Sequence, residues 1–376
     1  MRLSSLFLTL FLIFVGFEAK IIVKRAAEGK VRGCYLTNWA QYRPEPGKWT
    51  IDKYEAGVCT HIFYAFAKTD ASGNNPAPTE PSDLTKGYKD LKGLKNHQKD
   101  LKLILSFGGA SFGDFASIAS SDQNRKNFAK NAVAFAKKNG FDGVDIDWEF
   151  PTAEQKSEFT QLIKAVKSEA GKDFLVTAAV SPNSKTAAKI YDFNQLKDSL
   201  DFLNIMAYDF FGSWTKETAQ NAPLYGTGIF NVDKLTQFYK KSFPAKKILL
   251  GIPTYGRGWT LASSNPNQGP GSPAPSASKA LPTTKTDGVL AYYEVCQVLK
   301  QGAKEKWDDK SKTPYAQKGN QWYNYDNEKS VEEKAKYAKS NGLGGVFVWT
   351  LDFDDFNNVC KKEKFPLLKA IKKVLG

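Results

Sequence analysis

The 376-residue sequence predicts an α/β fold: a closed (β/α)8 barrel with a small α+β insertion domain between its seventh and eighth strands. Three observations predict it. Short apolar runs alternate with helical patterns, these runs number eight, and one stretch near the end is too long to be a single crossover helix. Near-continuous apolar strands separated by helices imply parallel strands covered on both faces, and eight strand–helix units imply closure as a TIM barrel.

The strand-like runs are "GCYLTNW" (33–39), "CTHIFYAFA" (59–67), "LKLILSFGG" (101–109), "GVDIDW" (143–148), "FLVTAAV" (174–180), "FLNIMAY" (202–208), "KILLGIP" (247–253) and "GVFVWTL" (345–351). Each is short, rich in β-branched or aromatic residues and bounded by turn residues. Between them lie helices. Over 122–138, Phe128, Ala132, Phe135 and Ala136 form one apolar stripe, which Gly140 ends. The next helix opens with Thr152 and Gln155 at capping-box spacing and carries Phe159, Leu162, Ile163 and Val166 on one face. From Arg257 to Asp326 the rhythm breaks at the loop-like "SSNPNQGPGSPAPSAS", followed by "GVLAYYEVCQVLK" and "GNQWYNYDNE". The expected division is therefore a barrel over 26–256 and 327–376, with an insertion over 257–326. The insertion's Tyr and Trp residues suit either a small core of its own or one wall of a groove.

The segment "MRLSSLFLTLFLIFVGFEA" has one basic residue and then a short apolar run, the pattern of a signal peptide over 1–19 with cleavage near Ala19. Lys24-Arg25 reads as a dibasic trimming point or as two exposed charges. No other stretch approaches the roughly 20 apolar residues of a membrane span, so a secreted, extracellular, soluble protein without a membrane partner is expected. Secretion makes Cys34, Cys59, Cys296 and Cys360 disulfide partners; four thiols allow three pairings, and clustering suggests Cys34 with Cys59 and Cys296 with Cys360. With no CxxC pair, and only His61 and His97 as histidines, neither a metal nor a cofactor is expected. The formal charge of +14 is spread through segments such as "KGYKDLKGLKNHQKDLK", where lysines interleave with acids. That pattern favours a solvated surface over nucleic-acid binding. A monomer is expected.

"FDGVDIDWEFP" (141–151) sets acidity against burial. Side chains alternate across a strand, so Asp145, Asp147 and Glu149 share one face while Val144, Ile146 and Trp148 take the other, and Asp142 has the wrong parity. In a parallel barrel the acidic set points inward and climbs toward the C-terminal rim, where such barrels keep their chemistry. Stacked carboxylates cannot all ionise cheaply, which leaves a protonated acid near neutral pH. Glu149, the outermost, is the candidate acid. The competing reading, carboxylates each paired with a buried Lys or Arg, finds no obvious basic partners on the other inner strands.

The same segment matches the DxxDxDxE signature of the family 18 glycoside hydrolases, the chitinases and chitinase-like lectins. The resemblance extends through "CYLTNWAQYR", "CTHIFYAFA", "LILSFGG", "NIMAYDFFGSW", "GIPTYGRGWTLASS", "LAYYEVC" and "GGVFVWTLDFDDF", and is nearest to the animal members. It implies that Glu149 is the general acid and that the substrate's own 2-acetamido oxygen is the nucleophile, giving an oxazolinium ion and retention. Asp147 would orient the acetamido nitrogen, Asp145 would hold a shared proton below it, and Tyr208 would donate to the acetamido oxygen.

By the same resemblance Trp349 is the floor under the sugar at the cleavage point. Tyr35, Phe66, Met206 and Tyr255 would enclose its pocket, Asp209 and Arg257 would bind hydroxyl or acetamido groups, and Trp39, Tyr42 and Trp214 would extend the groove. In "SFGG", Ser106, Gly108 and Gly109 belong either to the family motif or to a tight turn. Ala110 follows where many animal members carry Trp, which removes a stacking ring worth about 0.5–1.5 kcal/mol. The function implied is an endochitinase acting on chitin and chitin oligosaccharides. A catalytically silent chitinase-like lectin and an enzyme of the N-glycan chitobiose core are the alternatives.

Overall fold

The computed structural model describes residues 30–376. The leader over 1–19 and the Lys24-Arg25 pair lie outside the described residues. Eight parallel strands, Val31–Thr37, His61–Lys68, Lys102–Gly108, Gly143–Asp147, Leu175–Val180, Phe202–Ile205, Ile248–Pro253 and Gly345–Trp349, pair in sequence order, and the last returns to the first to close the barrel. Every one of these neighbouring pairs is parallel.

Alternation along the strands divides the core in two. Val144, Ile146 and Trp148 point outward into a cluster with Phe107 of the third strand and with Phe115, Phe128 and Phe159 from the helical layer. Trp148 stacks on Phe115 at 5.6 Å. The barrel interior holds a second cluster with Tyr35, Phe63, Ile104, Leu249 and Phe347, and the acids stand among these residues. Strand register sets Ser106 beside Asp145, and Asp145 beside Thr177, on three adjacent strands.

The helix Asp122–Lys138 opens where its stripe predicts, with Ser121 Oγ accepting from the Asn124 amide at 3.1 Å. The following helix spans Lys156–Ala170 and starts later than the Thr152–Gln155 spacing suggests. Gln155 Oε1 accepts from the Thr152 amide at 2.9 Å, and the Gln155 amide bonds back to the Thr152 carbonyl at 3.1 Å. The pair therefore closes the turn before the helix instead of capping it.

After the seventh barrel strand the chain builds a second, antiparallel sheet whose main strands are Tyr255–Thr260, Val289–Ala291, Lys304–Asp308, Thr313–Lys318 and Gln321–Asn324, with the helix Tyr292–Lys300. Trp259 and Trp322 meet edge to face at 5.5 Å and are fully buried, so part of this segment's aromatic content builds a core of its own. Disulfides join Cys34 to Cys59 and Cys296 to Cys360. The first ties the first barrel strand to the segment entering the second. The other ties the helix of the second sheet to the chain beyond the eighth strand. Among the described residues no helix is long and apolar enough to cross a membrane.

Two glycines set how closely the third and fourth strands approach. Gly108 has φ +119°, and a Cβ there would stand 2.1 Å from the Asp147 carbonyl oxygen. Gly109 has φ +92° and donates its amide to that same oxygen at 2.9 Å, and a Cβ there would meet the Phe66 ring at 2.5 Å. Gly108→Ala must move the acidic strand or strain its own backbone. We expect a loss of about 1–3 kcal/mol in chemical denaturation; an unchanged midpoint would show that the two strands have room to spare.

Candidate active site

Asp145 is the deepest of the inward acids and fully buried. Its Oδ2 accepts from the Tyr35 hydroxyl at 2.8 Å and from Ser106 Oγ at 2.7 Å, while Oδ1 accepts from Thr177 Oγ1 at 2.6 Å. Asn204 Nδ2 donates to the Tyr35 oxygen at 3.0 Å, closing the network. Burial raises the Asp145 carboxyl, and the three hydroxyl donors oppose that rise by favouring the anion. Among the described residues no Lys or Arg stands within ion-pair distance of Asp145, Asp147 or Glu149. Asp142, on the other parity, points away and pairs with Lys95 Nζ at 2.7 and 2.6 Å.

Asp147 has no comparable support. It is 2% exposed, and its Oδ1 has no hydrogen-bond partner. Burial, then the charges of Glu149 and Asp145, push its carboxyl well above the usual range. Glu149 lies two residues further, beyond the strand end. Burial and then the Asp209 carboxylate raise it to about 7. A glutamic acid that still holds its proton near neutrality is the species general acid catalysis needs.

Glu149 stands where two cavities meet. One, of about 300 Å³, is lined by Asp147, Glu149, Met206, Tyr208, Asp209, Tyr255 and Trp349. The other, of about 480 Å³, is lined by Trp39, Phe66, Glu80, Glu149 and Trp349. Ala110 borders both. Aromatic rings step outward from the floor: Phe66 stacks against Trp349 at 5.9 Å with an interplanar angle of 28°, and Trp39 against Phe66 at 5.9 Å and 27°. Trp39 is 39% exposed at the outer end.

The opposite wall is polar. Asp209 Oδ1 accepts from the Tyr255 hydroxyl at 2.7 Å and from Arg257 Nε at 2.8 Å. Asp209 has φ 55°, a left-handed conformation, and its amide donates to Asn221 Oδ1 at 2.9 Å. The Arg257 guanidinium lies over Trp214 at 5.2 Å, and Trp214 is 56% exposed. Tyr208 is buried, and burial holds its hydroxyl well above the usual phenol value, so it is a donor throughout the working pH range.

The structure thus brings Asp147, Glu149, Met206, Tyr208, Asp209, Tyr255 and Trp349 to one cavity, and Trp39 and Phe66 to the next. Tyr35 lies beneath Trp349 at 5.4 Å, in the Asp145 network and away from the cavity lining. Tyr42 is at the rim, its hydroxyl on Glu80 at 2.8 Å. Sequence reasoning missed Thr177, Asn204 and Asn221. The first two are lone polar residues in "FLVTAAV" and "FLNIMAY", a signal that was available. Asn221 sits in a loop and carries no comparable mark.

The model of the glycosyl hydrolases family 18 matches residues 31–354. The probable endochitinase of Caenorhabditis elegans is 42% identical over 377 residues, covering 92% of this chain and 60% of that protein, so the chain spans less than two thirds of this relative. Among solved structures, the immunomodulatory active chitinase of Trichuris suis superposes with a TM-score of 0.89 at 40% identity, covering 92% of this chain and 100% of that one. Human YKL-39, a pseudo-chitinase with retained chitooligosaccharide binding properties, superposes with a TM-score of 0.87 at 35% identity and covers 92% and 100% respectively. The match takes in all eight barrel strands and the acid-bearing fourth among them, and the chain belongs to the glycosyl hydrolases family 18.

Proposed function

We propose that the protein is a secreted endochitinase that cleaves β-1,4 linkages between N-acetylglucosamine units with retention of configuration. The observation that carries this reading is Glu149, raised to about 7 at the junction of the two cavities. A glycan lying across that junction presents a glycosidic oxygen to a carboxylic acid. Glu149 donates its proton there, and the C1–O bond breaks as the leaving sugar takes the electron pair. The acetamido oxygen of the retained sugar attacks C1 from the other face and closes an oxazolinium ring. Asp147 Oδ1, buried without a partner, is free to accept from the acetamido N–H as positive charge grows on nitrogen. The Tyr208 hydroxyl donates to the acetamido oxygen. Glu149, now a carboxylate, takes a proton from the water that opens the ring, and two displacements at C1 restore the original configuration.

Trp349 supplies a flat apolar surface for the sugar at the cleavage point, while Phe66 and Trp39 continue it along the groove. Asp209 and Arg257 offer hydrogen bonds to the polar edge. The segment 257–326 acts as an insertion forming one wall of the groove. Arg257, at the start of that segment, supports this through its bond to Asp209. Two disulfides support an oxidising, extracellular destination. The likeness to the pseudo-chitinase YKL-39 supports a binding-only reading with the same groove; the two readings part at turnover.

Glu149→Gln is expected to lower release of fluorophore from a chitotriose conjugate by at least about 100-fold while chitin oligomers still bind. Turnover equal to that of the parent would remove Glu149 from its role. The active form is the protonated one, so kcat/KM is expected to be full below about pH 7 and to fall as pH rises through it. Asp209→Asn takes away a negative neighbour that raises Glu149, so the alkaline limb should move to lower pH. A limb that stays in place would show that burial alone sets it.

A further inference from the structure

Several large apolar side chains stand exposed on this molecule. Trp39 lines the cavity beside Glu149, Tyr42 bonds to Glu80 of the same lining, Trp214 lies under the Arg257 guanidinium, and Leu84 is also exposed. Tyr225 and Phe230, 43% and 36% exposed, are elsewhere. Both face a cavity of about 450 Å³ that also takes in Phe211, and it shares no lining residue with the two cavities around Glu149. Large exposed rings gathered in one concavity mark binding surfaces more often than chance packing.

The cavity is built, because its walls are bonded to each other. Thr218 Oγ1 donates to the Gly269 carbonyl at 2.7 Å, Gln220 Nε2 to Asp308 Oδ2 at 3.1 Å, and the Leu224 amide to the Ser311 carbonyl at 2.8 Å. The rings are held as well: Phe230 meets Phe211 at 6.0 Å and 78°, and Tyr225 meets Tyr337 at 6.1 Å and 78°. Glu217 and Lys310 stand exposed on the lining, and neither side chain has a hydrogen-bond or ion-pair partner among the described residues. With the Asp308 carboxylate, which accepts from the neutral Gln220 side chain and from the Lys310 backbone amide, the lining carries two carboxylates and one ammonium, an excess of one negative charge.

Those features describe the occupant. Rings need an apolar face to stack on, the exposed carboxylate and ammonium offer hydrogen bonds to hydroxyl or amide groups, and the excess of carboxylate disfavours an anionic ligand. Its volume lies in the range of about 300–1,000 Å³ of ligand sites. A saccharide has this combination. We propose that the cavity floored by Phe211, Tyr225 and Phe230 is a second, non-catalytic site for a stretch of N-acetylglucosamine polymer. This identification of the sugar rests on the function proposed above. A chain held there keeps further polymer near the groove, so the second contact works through effective concentration.

The test uses the full protein, insoluble chitin and a soluble chitotriose conjugate. For Tyr225→Ala/Phe230→Ala we expect turnover of the soluble conjugate within twofold of the parent, and affinity for insoluble chitin at least fivefold weaker. Unchanged partitioning overturns the proposal. Should the double variant lose soluble turnover too, Glu217→Ala/Lys310→Ala alters only exposed side chains and must give the same loss on the solid; no loss overturns it. Sedimentation of parent and variant covers the remaining occupant, since a parent dimer that the ring substitutions split would make this face a self-interface and overturn it. A parent that binds chitin through this site yet hydrolyses no conjugate would sink the catalytic reading and leave this one standing.

Discussion

The structure turns on carboxylates buried in a barrel without a cation to answer them. An ionised carboxylate in an apolar interior costs several kcal/mol unless it is paired or hydrogen-bonded. Asp145 meets that cost with hydroxyls from Tyr35, Ser106 and Thr177, residues that strand register brings to one level. Asp147 and Glu149, higher on the same face, lack such donors and meet it by holding on to a proton. A lysine in place of any of those hydroxyls would have stabilised the anions and emptied the ladder of its acid. Gly108 of the third strand belongs to the same arrangement, since it lets the Asp147 backbone sit where a side chain would have kept it out.

The aromatic series follows from a different requirement. Trp349, Phe66 and Trp39 lie nearly parallel in succession, a geometry suited to a ligand with repeated flat apolar faces. Polar groups gather on the other side, where Asp209 is held by Tyr255 and Arg257. The division gives the groove an apolar floor and one hydrogen-bonding edge, with Ala110 on the lining of both cavities.

Period-two alternation made the acidic face legible, because parity alone separates Asp145, Asp147 and Glu149 from Val144, Ile146 and Trp148. Short, near-continuous apolar runs bounded by turn residues marked all eight barrel strands to within a few residues, and the stripe over 122–138 marked its helix. What lay beyond reach was contact between distant segments. Nothing in the spacing of Asp209 and Arg257 says that they pair, and nothing around Tyr35 says that its hydroxyl goes to Asp145 while its ring lies under Trp349. The aromatics after Arg257 were ambiguous for the same reason: Trp259 and Trp322 close on each other only once the second sheet has paired. The late start of the Lys156 helix shows a local motif diverted, its side chain engaged one turn too early.

A single residue, Thr254, separates the seventh barrel strand from the first strand of the second sheet. Its amide bonds to the Trp349 carbonyl at 3.0 Å, its hydroxyl to the Thr350 carbonyl at 2.6 Å, and its own carbonyl accepts from Tyr292 at 3.1 Å. With no slack in that junction, the trough is a mould and not a jaw. Under the function proposed above, discrimination among sugars would rest on the fit of a shape present before the ligand arrives, and a long polymer could be laid in from the side or drawn along without waiting for anything to open.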